Sequence, residues 1–265
     1  MAAAESTKEA DSVVLKILPY VSIIGFFLTW ELVSDTGLVP KQLLAPPSQV
    51  ARLFVDKLTQ ENPDGAVLAV HVTTSLEEAV IAYSLALAIG IPLGLLMGWF
   101  VLAEGLARPI FEMIRPIPPV AWIPLAIFWF GIGLTGKVFI IWLSGIVPCV
   151  INAYVGVRMT SPTLIQMART YGASDWQIFK DICVPSALPM VFGGLQIALA
   201  AAWTALVAAE LIAANTGLGF LITMGGRLGL PDMVVLGMLM VGVTGMVIGM
   251  IVERVERRLL AGIRR

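Results

Sequence analysis

Charged side chains are few in this chain: Asp, Glu, Lys and Arg make up 13% of its 265 residues, against about 25% in a typical soluble domain. Net charge is −1, so there is no basic surface to meet nucleic acid. Cysteine is almost absent. Cys149 and Cys183 both lie in apolar stretches, which excludes a disulfide framework or a thiolate metal centre. His71 is the only histidine and has no carboxylate or cysteine companions at ligand spacing, so no metal site is expected. No nucleophile–base constellation marks a catalytic residue. Met1 to Asp11 is acidic and rich in small side chains, and it reads as a solvated tail rather than a signal peptide, which would begin basic. No long internal repeat is visible, which disfavours a transporter built from inverted halves of one chain. What the chain has instead is apolar bulk: 58% hydrophobic residues and a mean hydropathy of +0.90. That excludes disorder and an ordinary water-soluble enzyme, and it points to one membrane-embedded body.

A hydrocarbon core of about 30 Å takes about 20 apolar residues of helix. Four uncharged runs meet this outright: Ala79–Val101, Val138–Val157, Pro185–Ala209 and Met233–Val252. Two more are weaker. Ile17–Trp30 is cut short by Glu31, although Lys16 can snorkel and the helix can run on through Val33. Pro116–Leu134 is long enough, but a start near Pro109 draws in Glu112 and Arg115. The reading is an all-α, multi-pass protein with a tail over 1–14 and a single membrane body over 15–265. Its six spans lie near 15–34, 77–101, 109–134, 138–157, 185–212 and 232–252. With the N-terminus in the cytoplasm, Lys8, Lys16, Arg108, Arg158, Arg169, Lys180, Arg254, Arg257, Arg258, Arg264 and Arg265 fall inside. Lys41, Arg52, Lys57, Lys137 and Arg227 fall outside. This bias predicts cytoplasmic termini. Between the first two spans, Pro40, Pro46 and Pro47 make an extended outer segment. Ser48 is positioned to cap a short amphipathic helix over Gln49–Leu58 at the outer interface.

The informative stretch runs from Thr160 to Pro185. Ser161-Pro162 is an N-cap followed by Pro at the first helical position. A helix from there can reach about Tyr171, where Gly172 adopts the left-handed conformation that closes it. Ser174 then caps a second helix with Asp175 in its first turn. Trp176, Phe179 and Ile182 fall at helical spacing on one apolar face, and Pro185 ends this element and opens the next span. Two readings are open for such a loop: an interfacial connector, or a docking surface for another protein.

The residues carry a resemblance. Gln166-Met167-Ala168-Arg169-Thr170-Tyr171-Gly172, followed by Ile182-Cys183-Val184-Pro185, resembles the EAA loop of ATP-binding-cassette importer permeases. That pattern is Glu-Ala-Ala, three residues, Gly, nine residues, then Ile-x-Leu-Pro. Ala168, Gly172, Ile182 and Pro185 agree with it, while Gln166, Met167 and Val184 depart. Without the acidic residue, docking would rest on shape and apolar contact. Arg115-Pro116-Ile117-Pro118-Pro119, Trp122-Ile123-Pro124-Leu125 and Trp129-Phe130-Gly131-Ile132-Gly133 are similar to the third-span signature of the nitrate/taurine/sulfonate/bicarbonate subfamily. Leu44-Ala45-Pro46-Pro47-Ser48, Ala209-Glu210-Leu211-Ile212-Ala213 and Gly217-Leu218-Gly219-Phe220 resemble the same group, most of all its taurine- or sulfonate-type members.

The resemblance implies a type I (MetI-like) importer fold in a bacterial cytoplasmic membrane. Two copies of the chain, taken as a homodimer, would form the pathway for a small anionic or zwitterionic solute. Two cytoplasmic ATPase subunits would dock on the loops, and a periplasmic solute-binding protein would deliver the solute. ATP and magnesium would be bound by the partners, so the chain itself would carry no cofactor and no enzymatic activity. The coupling helix carries over to about Ala168–Phe179. Gln166, Ala168, Gly172, Ala173, Ser174, Trp176, Phe179 and Pro185 are its coupling residues, with Gly172 supplying the turn and Ala173, Ser174 and Trp176 the contacts.

Other features have a plainer reading beside the functional one. Gly131-Ile132-Gly133-Leu134-Thr135-Gly136-Lys137 fits the first seven positions of a phosphate-binding loop. Val138 stands where Ser or Thr would hold magnesium, and no βα unit surrounds it, so its glycines suit a tight outer turn. Arg115 would cost about 2.5–3.5 kcal/mol at the centre of a span. Either Glu112 neutralises it one turn away, or it stands by the pathway and attracts an anionic group, beside a helix break at Pro116, Pro118 and Pro119. Trp122, Gln196, Trp203, Thr204 and Glu210 complete the candidate pathway set. Gln196, Trp203 and Glu210 recur at seven-residue spacing, a stripe that lines a lumen or a helix contact. Glu210 reads as an interfacial carboxylate, or as a cap or gate with Thr216-Gly217-Leu218-Gly219. Gly90, Gly94 and Gly98, and Gly245 and Gly249, permit close helix packing within the chain or at a dimer seam. The functional expectation is an importer permease; the rivals are an autonomous secondary transporter and a membrane-embedded enzyme.

Overall fold

Proline and glycine punctuate long apolar runs here, and every regular element among the described residues is helical. The computed structural model describes the backbone of residues 2–40 and 42–263, and side chains over 17–40 and 42–258. The side chains of Lys8, Lys16, Lys41, Arg264 and Arg265, which entered the charge reading, lie outside that set. In chain order the helices are α1 (Ala2–Asp35), α2 (Pro47–Asp56), α3 (Leu68–Trp99), α4 (Val101–Ile114), α5 (Ile123–Phe130) and α6 (Leu134–Arg158). They continue as α7 (Pro162–Thr170), α8 (Asp175–Ile178), α9 (Val184–Ala213), α10 (Leu218–Leu228) and α11 (Pro231–Ile263). Residues of the expected N-terminal tail belong to the backbone of α1.

Five helices are long and apolar enough to cross a bilayer: Ile17–Asp35, Leu68–Trp99, Leu134–Arg158, Asp175–Ala213 and Pro231–Arg258. The pair Val101–Ile114 and Pro119–Phe130 makes a sixth if it crosses once, and it is bent by 86°. The bend falls where Pro116, Pro118 and Pro119 remove three N–H donors, which ends α4 at Ile114. The chain divides into two compact units, Met1–Leu68 with Ile222–Gly237, and Ala69–Leu221 with Met238–Arg265.

In the first unit α2 begins at Pro47, whose ring presets the helical φ. Ser48 does not cap a helix starting at Gln49. Its N–H and hydroxyl both donate to the Glu31 carboxylate at the end of α1, at 3.0 and 2.6 Å. Glu31 therefore satisfies an orphan donor of the first turn from outside the helix. Lys57 is fully buried and donates to Asp64 and to the Ala66 carbonyl at 2.6 Å.

In the second unit α6 is the central helix. Buried Ala79 and Ala82 of α3 meet Ile141 of α6 and Ala202 and Leu206 of α9. Ile123 and Ala126 of α5 meet Ile140, Ala205 and Ala209. Glycine makes this approach possible. A Cβ at Gly90 would lie 2.7 Å from Cys149 Cβ, one at Gly94 2.4 Å from the Val150 carbonyl oxygen, and one at Gly98 2.7 Å from Val157 Cβ. The ladder thus works inside the chain, between α3 and α6. Gly156 does the same against Ala187 of α9, at 3.0 Å. Polar ties cross the same contacts: the Tyr83 hydroxyl donates to the Leu195 carbonyl at 3.0 Å, and that of Ser144 to Ala201 at 2.9 Å.

Gly94→Val is expected to destabilise the chain by about 1–3 kcal/mol through overpacking, seen as a lower melting temperature in detergent. Gly193→Ala, where an added Cβ meets nothing within 4 Å, should melt at or above the wild-type temperature, because alanine is the better helix former.

Candidate functional site

The hairpin after α6 is closed by local chemistry. Pro162 starts α7 with Ser161 at the N-cap position, though its side chain makes no capping bond. At the other end Gly172 sits at φ +80°. Its N–H donates to the Arg169 carbonyl and that of Ala173 to the Ala168 carbonyl, both at 3.0 Å. This is the paired closure that a left-handed glycine permits, and Ala168 and Ala173 both pack against the buried cluster below. Ser174 then opens α8 with a capping box. Its oxygen accepts from the Gln177 N–H at 3.3 Å, and its own N–H donates to Gln177 Oε1 at 2.8 Å.

The hairpin is anchored from below and exposed above. Ile178 and Phe179 are buried against Ala153 and Val157 of α6 and Ala187 and Val191 of α9. Trp176 stacks on Phe100 at 6.5 Å and lies tilted against Phe179 at 5.5 Å between ring centroids, yet it is 58% exposed. Tyr171 is 88% exposed, and Gln166 also faces outward. Tyr171 and Phe100 were absent from the expected site. An aromatic at the turn itself was the available signal for Tyr171.

Pro185 does not end the loop helix. Without an N–H it cannot bond the Asp181 carbonyl, and the backbone widens into a π-helical turn over Phe179–Cys183. α8, this turn and α9 therefore run on as one apolar helix, Asp175–Ala213.

A second cluster forms at the far end of α9. His71, Ser75 and Glu78 stand one and two turns apart on α3, facing Lys137 of α6 and Glu210 of α9. Three successive N–H groups at the start of α10 find side-chain acceptors here: Gly217 on His71 Nδ1 at 3.1 Å, Leu218 on Ser75 Oγ at 2.9 Å, and Gly219 on Glu210 Oε2 at 2.7 Å. Because Ser75 Oγ accepts from Leu218, its proton goes to Glu210 Oε1 at 2.6 Å. A carboxylate at a helix N-terminus also answers the positive end of its dipole. Glu210 is 1% exposed, so it caps α10 and is no interfacial carboxylate. A Cβ on Gly217, at φ +125°, would fall 2.2 Å from Glu210 Oε1. Lys137, the apparent phosphate-loop lysine, is buried in an ion pair with Glu78.

The candidate pathway residues are divided among several places. Gln196, Trp203 and Thr204 line a groove of about 460 Å3 between α9 and α11, with Gly245, Gly249 and Glu253 opposite. Gln196 donates to Glu256 at 2.5 Å, and the Trp203 indole to the Val241 carbonyl at 3.2 Å. Arg115 lies on a different cavity, of about 210 Å3, between α4 and α6. Glu112 does not neutralise it: that carboxylate binds Arg108, one turn earlier, at 2.7 Å. Trp122 lines neither, and its buried indole N–H has no partner among the described residues. Glu210 turns away from the Gln196–Trp203 stripe toward α3 and α10.

The chain is thus a multi-pass helical body with an exposed, doubly capped hairpin between two of its apolar helices. Residues 90–265 match the family of binding-protein-dependent transport system inner membrane components, and the chain belongs to that family. It is 36% identical over 243 residues to the taurine transport system permease protein TauC of Escherichia coli K12, covering 90% of this chain and 87% of that one. It is 30% identical over 235 residues to the bicarbonate transport system permease protein CmpB of Synechocystis, covering 87% and 84%. Its fold matches an inward-facing structure of the MetNI methionine ABC transporter with a TM-score of 0.61 at 20% identity, over 75% of this chain and 96% of that one. The chain is a permease subunit of an ATP-binding-cassette importer. It is not one of the autonomous secondary carriers.

Lys137→Met leaves Glu78 buried without its cation and should cost about 3–5 kcal/mol of stability. Adding Glu78→Leu should return most of that loss, as measured by denaturation in detergent.

Proposed function

We propose that two identical copies of this chain form the translocation pathway of a bacterial cytoplasmic-membrane importer for a small anionic or zwitterionic solute of the taurine, alkanesulfonate, nitrate or bicarbonate type. Both termini lie in the cytoplasm in this reading. Two ATPase subunits grip the hairpin over 162–179, and a periplasmic binding protein delivers the solute. ATP and magnesium belong to the ATPase subunits. The solute class follows the relatives named above, and the cytoplasmic side follows the excess of Lys and Arg.

One observation carries the reading: the hairpin exposes Trp176 and Tyr171 while burying Ile178 and Phe179. A connector has no need of exposed aromatics on a turn fixed by two caps. Exposed aromatics on a rigid support are the composition of a docking surface. Ala173, Ser174 and Trp176 supply the contact, Gly172 sets its angle, and Gln166 borders it. Force applied there reaches α9 through the unbroken helix from Asp175. It also reaches α4 through the Trp176–Phe100 stack.

Gly172→Val strains the left-handed turn by about 1–2 kcal/mol. In proteoliposomes holding the complete importer it should lower solute uptake per ATP hydrolysed, with normal insertion. Trp176→Ala should weaken assembly with the ATPase subunits about tenfold, read by co-purification. Unchanged coupling and unchanged assembly in these two variants would remove the hairpin from the mechanism.

A further inference from the structure

Helix α4 carries two stripes. Leu102, Leu106, Ile110 and Met113 recur every three or four residues and are 62–75% exposed, a face for hydrocarbon. Glu104, Arg108, Glu112 and Arg115 recur at the same interval on another face. Most of these charges are spoken for. Glu104 accepts from Arg108 at 3.0 Å, from the Tyr154 hydroxyl at 2.7 Å and from Arg158, and Glu112 accepts from Arg108 at 2.7 Å. Arg158 also lies over the Tyr154 ring, 5.5 Å from its centroid.

Arg108 and Arg158 thus take both carboxylates, and the guanidinium left over is that of Arg115. Its side chain makes no ion pair or hydrogen bond among the described residues. It is exposed and borders the cavity of about 210 Å3 together with the paired Arg108 and Glu112 and with Met97, Phe111, Val150 and Tyr154. Arg108 keeps the Glu112 carboxylate of this wall paired, which leaves the Arg115 charge to meet an anion. At about 30 Å3 per water, the space holds about seven waters, which suits a small polar group and falls below the usual range for larger ligands, about 300–1,000 Å3.

We propose that Arg115 and this cavity bind a small oxyanion group, with the guanidinium fork taking two of its oxygens. The site stands at the end of α4 opposite the one that meets the hairpin. Phe100, the residue before α4, stacks on Trp176, and Arg158, which holds Glu104, lies just before the hairpin. A sulfonate, a carboxylate or a bicarbonate ion fits this chemistry, and so does the phosphate of an anionic lipid. Use of the site by the transported solute rests on the function proposed above. The oxyanion site itself does not.

The test takes the purified full chain in nanodiscs, without ATPase or binding protein, so its outcome is separate from that of the hairpin variants. Phenylglyoxal modification of individual arginines is followed by peptide mass spectrometry. Methanesulfonate is compared with chloride at equal ionic strength, in phosphatidylcholine and in phosphatidylglycerol discs. Methanesulfonate should slow modification of Arg115 about threefold, within the range of one exposed charge pair, and leave the ion-paired Arg158 and Arg257 unchanged. Protection by methanesulfonate in neutral discs assigns the site to a solute anion. Protection seen only on changing to phosphatidylglycerol assigns it to a lipid headgroup. Equal Arg115 rates in all four conditions, or equal slowing of Arg115 and Arg158, would overturn the proposal.

Discussion

Helices in lipid gain little from burying oil against oil, because the surrounding tails are as apolar as leucine. What remains is close contact, and close contact requires that side chains be small where helices cross. The second unit is built on this condition. α6 receives α3 through Gly90, Gly94 and Gly98, and α9 through its own Gly156. Each of these positions would press a Cβ to 3.0 Å or less from the neighbouring helix. The rest of the unit, including both grooves and the footing of the hairpin, takes its position from that core.

Close packing leaves no room for stray charge, and the interior shows how charge is tolerated. Lys57 is enclosed by a carboxylate and backbone carbonyls, Lys137 by Glu78, and Glu210 by a serine and a backbone amide. Each buried ion has a fixed partner, as the high cost of an isolated buried charge demands. Arg115 differs because it is on the surface of a cavity, where water or a ligand can reach it.

The features legible in the sequence are those whose cause is local. Gly172 closing a helix and Ser174 capping the next depend on residues three to five positions away, and both appear as read. The glycine ladder was equally plain, although its partner helix was not. Other readings stay open in the sequence because residues elsewhere decide them. Glu210 takes the capping role with the Thr216–Gly219 turn rather than the interfacial one: it accepts from the Gly219 N–H, and Ser75, 135 residues earlier, holds its other oxygen. Glu112 has a candidate cation one turn away on either side, and Arg108 rather than Arg115 takes it. Pro185 looked like a stop, but a wide turn lets the helix pass it, and no local rule for proline foretells that.

That last feature has a mechanical meaning. The helix from Asp175 to Ala213 has 39 residues, a path of about 58 Å at 1.5 Å per residue, which continues through the wide turn at Phe179–Cys183. One tip carries an exposed indole and the opposite tip a carboxylate pinning the start of α10. If the hairpin is the docking surface proposed above, a push on the indole tip has a continuous covalent and hydrogen-bonded path to the carboxylate tip, as along a crankshaft.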